Sequence, residues 1–218
     1  LHEVKKKKIE NVILEASSHG LKQNRLDGLK FNIGIFTNLS RDHLDYHKSF
    51  NDYLKSKMIL FNRLLKKNSK MIYDNSILES KLLKNISKKR KLNSITIGEK
   101  NSNLKITKHK FIGNKQEVKF VFNNYNYSFV TNLIGEIQIK NLIMAIIAAN
   151  NCGLSMKRII KSINKIRSVK GRFEQIGNLK NNSKVILDYA HTPDALKTCL
   201  LNLKSQFKLS KISIVFGC

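Results

Sequence analysis

Ile33-Gly-Ile-Phe-Thr-Asn-Leu-Ser-Arg-Asp-His-Leu-Asp-Tyr-His-Lys-Ser49 joins the patterns that fix the architecture. Residues 33–37 form a short apolar run that reads as a strand, with Asn38 at its carboxyl end. A polar loop then leads to Ser49, a helix N-cap with Asp52 three residues on, an approximate capping box. Beyond it Phe50, Tyr53, Leu54, Met58, Phe61, Leu64 and Leu65 recur at helical spacing and predict a helix over 49–66. Strand, polar loop and amphipathic helix make one βα unit.

The same alternation extends outward. Apolar runs predict further strands at residues 11–14, 70–73, 94–97, 184–187 and 212–216. Amphipathic stretches predict helices at 77–89, 139–150, 155–166 and 194–204. Between Leu104 and Val130, alternating segments around Asn123-Asn124 read as an antiparallel hairpin. The expected fold is α/β with a mostly parallel sheet, divided near Ser168-Val-Lys-Gly-Arg-Phe-Glu174 into units of residues 1–168 and 169–218. Glu15, Asn38 and Asp188 each end a predicted strand, the edge at which ligands bind in open α/β sheets.

The 218 residues include 41 Lys+Arg against 15 Asp+Glu, a formal net charge of +26, which invites a nucleic-acid reading. The basic residues are instead scattered among many asparagines and isoleucines, as an AT-rich coding sequence would produce, and no element concentrates them beside aromatics. No nucleic-acid partner is therefore expected, although the field would attract anionic ligands. No run approaches the ~18 apolar residues of a membrane span, and the N-terminus lacks a signal-peptide stretch, so neither insertion nor secretion is expected. Cys152, Cys199 and Cys218 lack metal-clamp spacing and are odd in number, which fits reduced thiols in a cytoplasmic protein. Lys211-Ile-Ser-Ile-Val-Phe-Gly-Cys218 reads as a strand turning at a glycine, so the sequence is expected to stop inside a domain.

The loop after residues 33–37 holds Asp42, His43, Asp45 and His47. Two readings fit: a polar loop capping the next helix, or ligands for a divalent ion with Glu15 approaching from a neighbouring strand. Spacing does not separate them. Lys57 falls on the apolar stripe, seven residues from both Phe50 and Leu64. Such a lysine either snorkels to solvent or carries a depressed pKa that supplies a neutral amine.

Glu15-Ala-Ser-Ser-His-Gly-Leu21, Gln23, Arg25, Thr37 to His47, and Tyr53 with Lys57 together resemble the central domain of the Mur ligases. Gly135 to Asn141, Gly171-Arg-Phe-Glu174, Asp188-Tyr-Ala-His-Thr-Pro-Asp194 and Phe216-Gly-Cys218 continue the likeness in the family's order through almost the whole chain. The nearest branch adds a diamino acid to UDP-N-acetylmuramoyl-L-alanyl-D-glutamate in peptidoglycan precursor synthesis.

The resemblance implies a P-loop-type ATPase domain followed by the start of a Rossmann-like C-terminal domain, in a cytoplasmic monomer using ATP and Mg2+. It implies an acyl-phosphate intermediate attacked by an amine, with meso-diaminopimelate favoured over L-lysine. By the same resemblance Glu15 and His43 are magnesium ligands, and Lys57 is a carbamylated lysine whose anion helps position a second magnesium. Ser17, Gln23 and Arg25 match positions that hold the UDP-muramoyl dipeptide. Asn141 matches an adenine contact, and Arg172, Asp188 and His191 would face the nucleotide from the C-terminal domain.

Two departures stand out. Gln138 replaces the usual asparagine, and Lys48 follows His47 where glycine is common. The family's Gly-Lys-Thr phosphate loop would lie before Leu1 and its amino-acid-selecting region after Cys218, so the 218 residues alone are not expected to turn over ATP. Another Mur step, or folylpolyglutamate synthase, is the alternative enzyme; a basic nucleic-acid-binding protein is the alternative from another class.

Overall fold

The computed structural model describes residues 2–181 and 183–217. Its main unit is a six-stranded sheet in the order β1 (Phe31–Phe36), β2 (Leu65–Asp74), β3 (Asn93–Gly98), β4 (Leu104–Ile112), β5 (Lys115–Phe122) and β6 (Tyr125–Thr131). Neighbours are parallel from β1 to β4 and antiparallel from β4 to β6. The helices precede, connect and follow them: α1 (His2–Lys6), α2 (Ser18–Lys22), α3 (Phe50–Ile59), α4 (Ser80–Arg90), α5 (Glu136–Asn151) and α6 (Met156–Ser162).

Helices cover both faces of the sheet. On β2 the period-two alternation sends Met71 and Tyr73 to one face and Ile72 to the other, and all three are buried. Met71 and Tyr73 pack with Met58 and Phe61 of the α3 side and with Leu83 and Ile86 of α4. Ile72 packs with Ile97, Phe120, Ile143 and Ile147, which seats α5 against the opposite face. A fully buried aliphatic side chain contributes about 1.5–3 kcal/mol, so these two layers carry most of the stability.

The helix predicted over 49–66 ends earlier. After Ile59 the chain widens into a single π turn, Leu60–Leu64, and enters β2 at Leu65. That turn presses on β1: a Cβ added to Gly34 would stand 3.0 Å from Phe61 Cε1 and 3.1 Å from Leu65 Cδ1. Gly34 is therefore the residue that lets the helix end approach the strand.

The smaller unit holds an antiparallel pair, β7 (Glu174–Asn178) and β8 (Lys184–Leu187), then α7 (Pro193–Gln206) capped by Thr192. Two predicted strands do not form. Residues 11–14 pair with nothing among the described residues and Ile13 is 97% exposed; residues 212–216 likewise carry no ladder. An apolar run becomes a strand only when a neighbour accepts its backbone hydrogen bonds, and neither run has one here. Cys152 is exposed and Cys199 buried, both as free thiols, while Cys218 lies outside the described residues.

Candidate active site

The carboxyl end of β1 at Phe36 leads directly into the loop of residues 37–49. His43 occupies the left-handed region at φ 56°, uncommon for a residue other than glycine. Three hydrogen bonds hold it there: Asp42 Oδ1 accepts from its N–H at 2.8 Å, and its carbonyl accepts from the N–H groups of His47 at 2.9 Å and Tyr46 at 3.2 Å. Left-handed residues that the surroundings over-determine are concentrated at functional sites. Here the turn aims the imidazole toward Tyr53 and His19, at ring-centroid distances of 6.0 and 4.7 Å.

His47 is the buried anchor of the loop. Its Nε2 is 3.0 Å from Ser18 Oγ, and its Nδ1 is 3.6 Å from Asp52 Oδ2. Burial pushes its pKa down, helped by the Lys22 charge and opposed by Asp52. Lys22 pairs with Asp52, and Gln23 Nε2 donates to Tyr46 Oη at 3.2 Å. Together these contacts fasten α2 to the loop.

That short helix carries the expected substrate residues. Ser17 is its N-cap and accepts from Gly20 N–H at 3.1 Å, while Gln23 is its C-cap and Arg25 follows exposed. A serine N-cap contributes about 1 kcal/mol to the helix it starts. Helix α2 thus lies beside the loop, with its His19 ring 4.7 Å from that of His43 and Ser17 and Gln23 at its two ends.

Lys57 Nζ lies 3.4 Å from the Asn38 carbonyl and 5.2 Å from the Tyr53 ring centre. Burial holds its ammonium below the ordinary lysine range, against the opposing pull of Asp42, Glu15 and Glu79. The apolar stripe pointed to this lysine; the carboxylates around it were less legible. Asp42 stood in the loop motif, whereas Glu79 precedes α4 in a stretch without any motif.

From the smaller unit, Arg172 lies over the Tyr189 ring with its guanidinium carbon 5.2 Å from the centroid, and its carbonyl accepts from Gln138 Nε2 at 3.3 Å. Gln138 is one helical turn before the exposed Asn141. Asp188 spends both carboxylate oxygens on backbone, accepting from Phe173 N–H at 2.9 Å and Ala190 N–H at 3.0 Å. His191 Nδ1 approaches the Tyr189 carbonyl at 3.0 Å, while its Nε2 stands 3.9 Å from Asp42 Oδ1. Arg41, Asp42, His43 and Asp45 on one side, and His191, Thr192 and Pro193 on the other, line a cleft of ≈ 460 Å³ between the two units.

Among the described residues no three His, Cys, Asp or Glu side chains converge closely enough to hold a metal ion by themselves. Magnesium needs less: it takes one or two carboxylates and fills its octahedron with water and phosphate oxygens. Asp42, with Oδ2 3.6 Å from His43 Nε2, and Glu15, whose charge acts on Lys57, supply carboxylates of that kind. No helix among the described residues is long and apolar enough to cross a membrane.

Residues 1–149 match the Mur ligase middle domain and residues 171–218 the Mur ligase glutamate ligase domain. The chain belongs to the Mur ligase family. The UDP-N-acetylmuramoyl-L-alanyl-D-glutamate--2,6-diaminopimelate ligase of Rickettsia bellii (strain RML369-C) is 40% identical to it over 218 residues, covering 100% of this chain and 45% of the relative. The ligase of the same name from Chelativorans sp. (strain BNC1) is 33% identical over 94% of this chain and 42% of its own. The chain thus spans under half the length of these relatives. A solved structure of a UDP-N-acetylmuramoyl-L-alanyl-D-glutamate--2,6-diaminopimelate ligase superposes with a TM-score of 0.73 at 29% identity, over 88% of this chain and 39% of the other. Folylpolyglutamate synthetase from Lactobacillus casei shares the fold, with a TM-score of 0.71 at 14% identity over 93% of this chain and 48% of the other.

Proposed function

We propose that this chain is part of an ATP-dependent ligase that joins meso-diaminopimelate to UDP-N-acetylmuramoyl-L-alanyl-D-glutamate in peptidoglycan precursor synthesis. The observation that supports the reading is that His43 and Lys57 both face the Tyr53 ring, at 6.0 Å between ring centres and 5.2 Å from Nζ, in a chain matched along its whole length by parts of ligases of that name. The domain limits proposed with it are residues 1–168 for the central domain and 169–218 for the C-terminal one.

Each residue has a defined task in such a reaction. Phosphorylating a carboxylate and then attacking the acyl phosphate both concentrate negative charge, so the site must supply cations and exclude water. Mg2+, when bound, supplies electrostatic stabilisation to phosphate oxygens, with Glu15 and His43 holding it. Burial disfavours the Lys57 ammonium; its neutral amine would add to CO2 with loss of one proton to solvent, and the resulting carbamate converts a cation into an anion beside the proposed metal site. Ser17, Gln23 and Arg25 hold the UDP-muramoyl dipeptide, Arg25 by pairing with an anionic group. Asn141 contacts the adenine of ATP, and Arg172, Asp188 and His191 approach the nucleotide from the smaller unit. Asp188 does so as a framework group, since its oxygens already tie residue 173 to residue 190.

The test is a panel of acceptors and amines with the complete protein that contains this chain, read as ADP release and as product mass. UDP-muramoyl dipeptide with meso-diaminopimelate should give the tripeptide. Turnover of a folate or of another muramoyl peptide instead would move the protein to a different ligase step.

A further inference from the structure

Helix α7 attaches the smaller unit to the larger one in an unusual way. Of its fourteen residues only Cys199 and Gln206 are buried. One of the two is therefore polar, and a buried amide costs free energy unless both its ends are paired. Gln206 pairs both across the unit boundary: Oε1 accepts from Gly135 N–H at 2.8 Å, and Nε2 donates to the Asn114 carbonyl at 3.3 Å. One turn earlier, Asn202 Oδ1 accepts from Ile137 N–H at 3.2 Å.

These acceptors answer a need of α5. The first N–H groups of any helix lack intrahelical partners, and the N-cap of α5, Gly135, has no side chain to supply an acceptor. Asn202 and Gln206 supply the missing acceptors from a helix more than sixty residues away. Gly135 makes the approach possible: its φ is 85°, and a Cβ there would stand 3.1 Å from Asn202 Oδ1 and 3.3 Å from Asn202 Cβ. The apolar part of the contact is small, with Ile134, Phe173 and Cys199 buried and Ile137, Leu203 and Phe207 partly so. A small apolar patch attracts without fixing orientation, whereas two directed hydrogen bonds fix it.

We propose that Asn202 and Gln206 form an interdomain latch, capping the N-terminus of α5 and holding α7 at the angle that sets His191 opposite Asp42. The other end of the same helix bears out the geometry, since Thr192 and Pro193 at its start line the cleft beside Arg41, Asp42 and His43. These are positioning residues; they touch the frame of the cleft and not its contents. The inference stands on protein contacts alone and is independent of which substrates the cleft takes.

Native-state hydrogen exchange and small-angle scattering on the complete protein that contains this chain test it. In Asn202→Leu/Gln206→Leu, which keeps bulk and removes both acceptors, the Gly135 and Ile137 amides should exchange about tenfold faster. The amides of Ile72 and Ile97 in the sheet should keep their rates, and the radius of gyration should rise. Relative to that pair, Asn202→Asp with Gln206 and its Asn114 contact intact retains an acceptor that a helix N-terminus favours, and should restore slow exchange and the compact radius. Unchanged protection in the leucine variant, faster exchange spread evenly through the sheet, an unaltered radius, or failure of the acidic variant to restore would each overturn the latch.

Discussion

Nε2 of His191 stands 3.9 Å from Oδ1 of Asp42, so the smaller unit reaches the loop that carries His43 without covering it. The cleft between them is where the two halves of the proposed reaction meet. The residues proposed to hold metal and acceptor lie on the sheet side, and Arg172, Asp188 and His191, proposed to approach the nucleotide, on the other. Three consequences follow for variants.

Lys57 is the first. Replacing it with alanine in the complete protein should abolish ligation, because the anion proposed beside the metal site would be gone. Millimolar short carboxylates should restore part of the activity by occupying the vacated space. Steady-state ADP release with and without added formate or acetate measures this. Full activity of Lys57→Ala without rescue would remove the carbamate from the account.

Asp74 governs behaviour in acid. Burial alone would raise its pKa, but the Ser76 hydroxyl at 2.7 Å and the Lys140 ammonium at 2.9 Å outweigh it and hold the carboxyl below the usual range. A folded pKa below the unfolded one means stability is complete above the unfolded value of about 3.9 and is lost as pH falls through the folded value. Asp74→Asn should cost about 1–2 kcal/mol at neutral pH, as loss of a charged hydrogen bond does, and should flatten the acid limb of the stability curve. Urea midpoints between pH 3 and 7 decide it; parallel curves for both proteins would show that Asp74 is not the group concerned.

His47 ties helix α2 to the loop that carries His43. Ser18→Ala leaves its Nε2 buried without a partner, which costs about 1–3 kcal/mol. His47→Ala adds a cavity beneath Tyr46 and Tyr53 and should cost more. Because Ser17 and Gln23, proposed to hold the UDP-sugar peptide, cap that helix, both variants should raise KM for that substrate more than KM for ATP. Equal rises for the two substrates would make His47 a general core residue instead.

Much of this site was legible in the sequence because its signals are local. The stripe from Phe50 to Leu64 placed Lys57 on a half-buried face, and Ser49 with Asp52 marked the helix start that the structure shows. What escaped was set by partners far along the chain. Residues 11–14 and 212–216 have strand composition, but composition cannot report that no neighbour accepts their hydrogen bonds. The left-handed turn at His43 depends on three hydrogen bonds that no spacing rule encodes. Gln138, which replaces the usual asparagine, donates its amide to the Arg172 carbonyl, a contact across thirty-four positions. The capping of α5 by Gln206 spans seventy-one positions and leaves no periodic trace.

The central claim is a ligase whose reacting groups gather around His43 and Lys57. Its most direct test is mass-spectrometric detection of the tripeptide product when the complete protein is given ATP, Mg2+, UDP-N-acetylmuramoyl-L-alanyl-D-glutamate and meso-diaminopimelate. The account predicts product that forms with stoichiometric ADP and disappears in His43→Ala. Absence of product with every diamino acid tried, together with binding to random DNA that weakens steeply with salt, would contradict it.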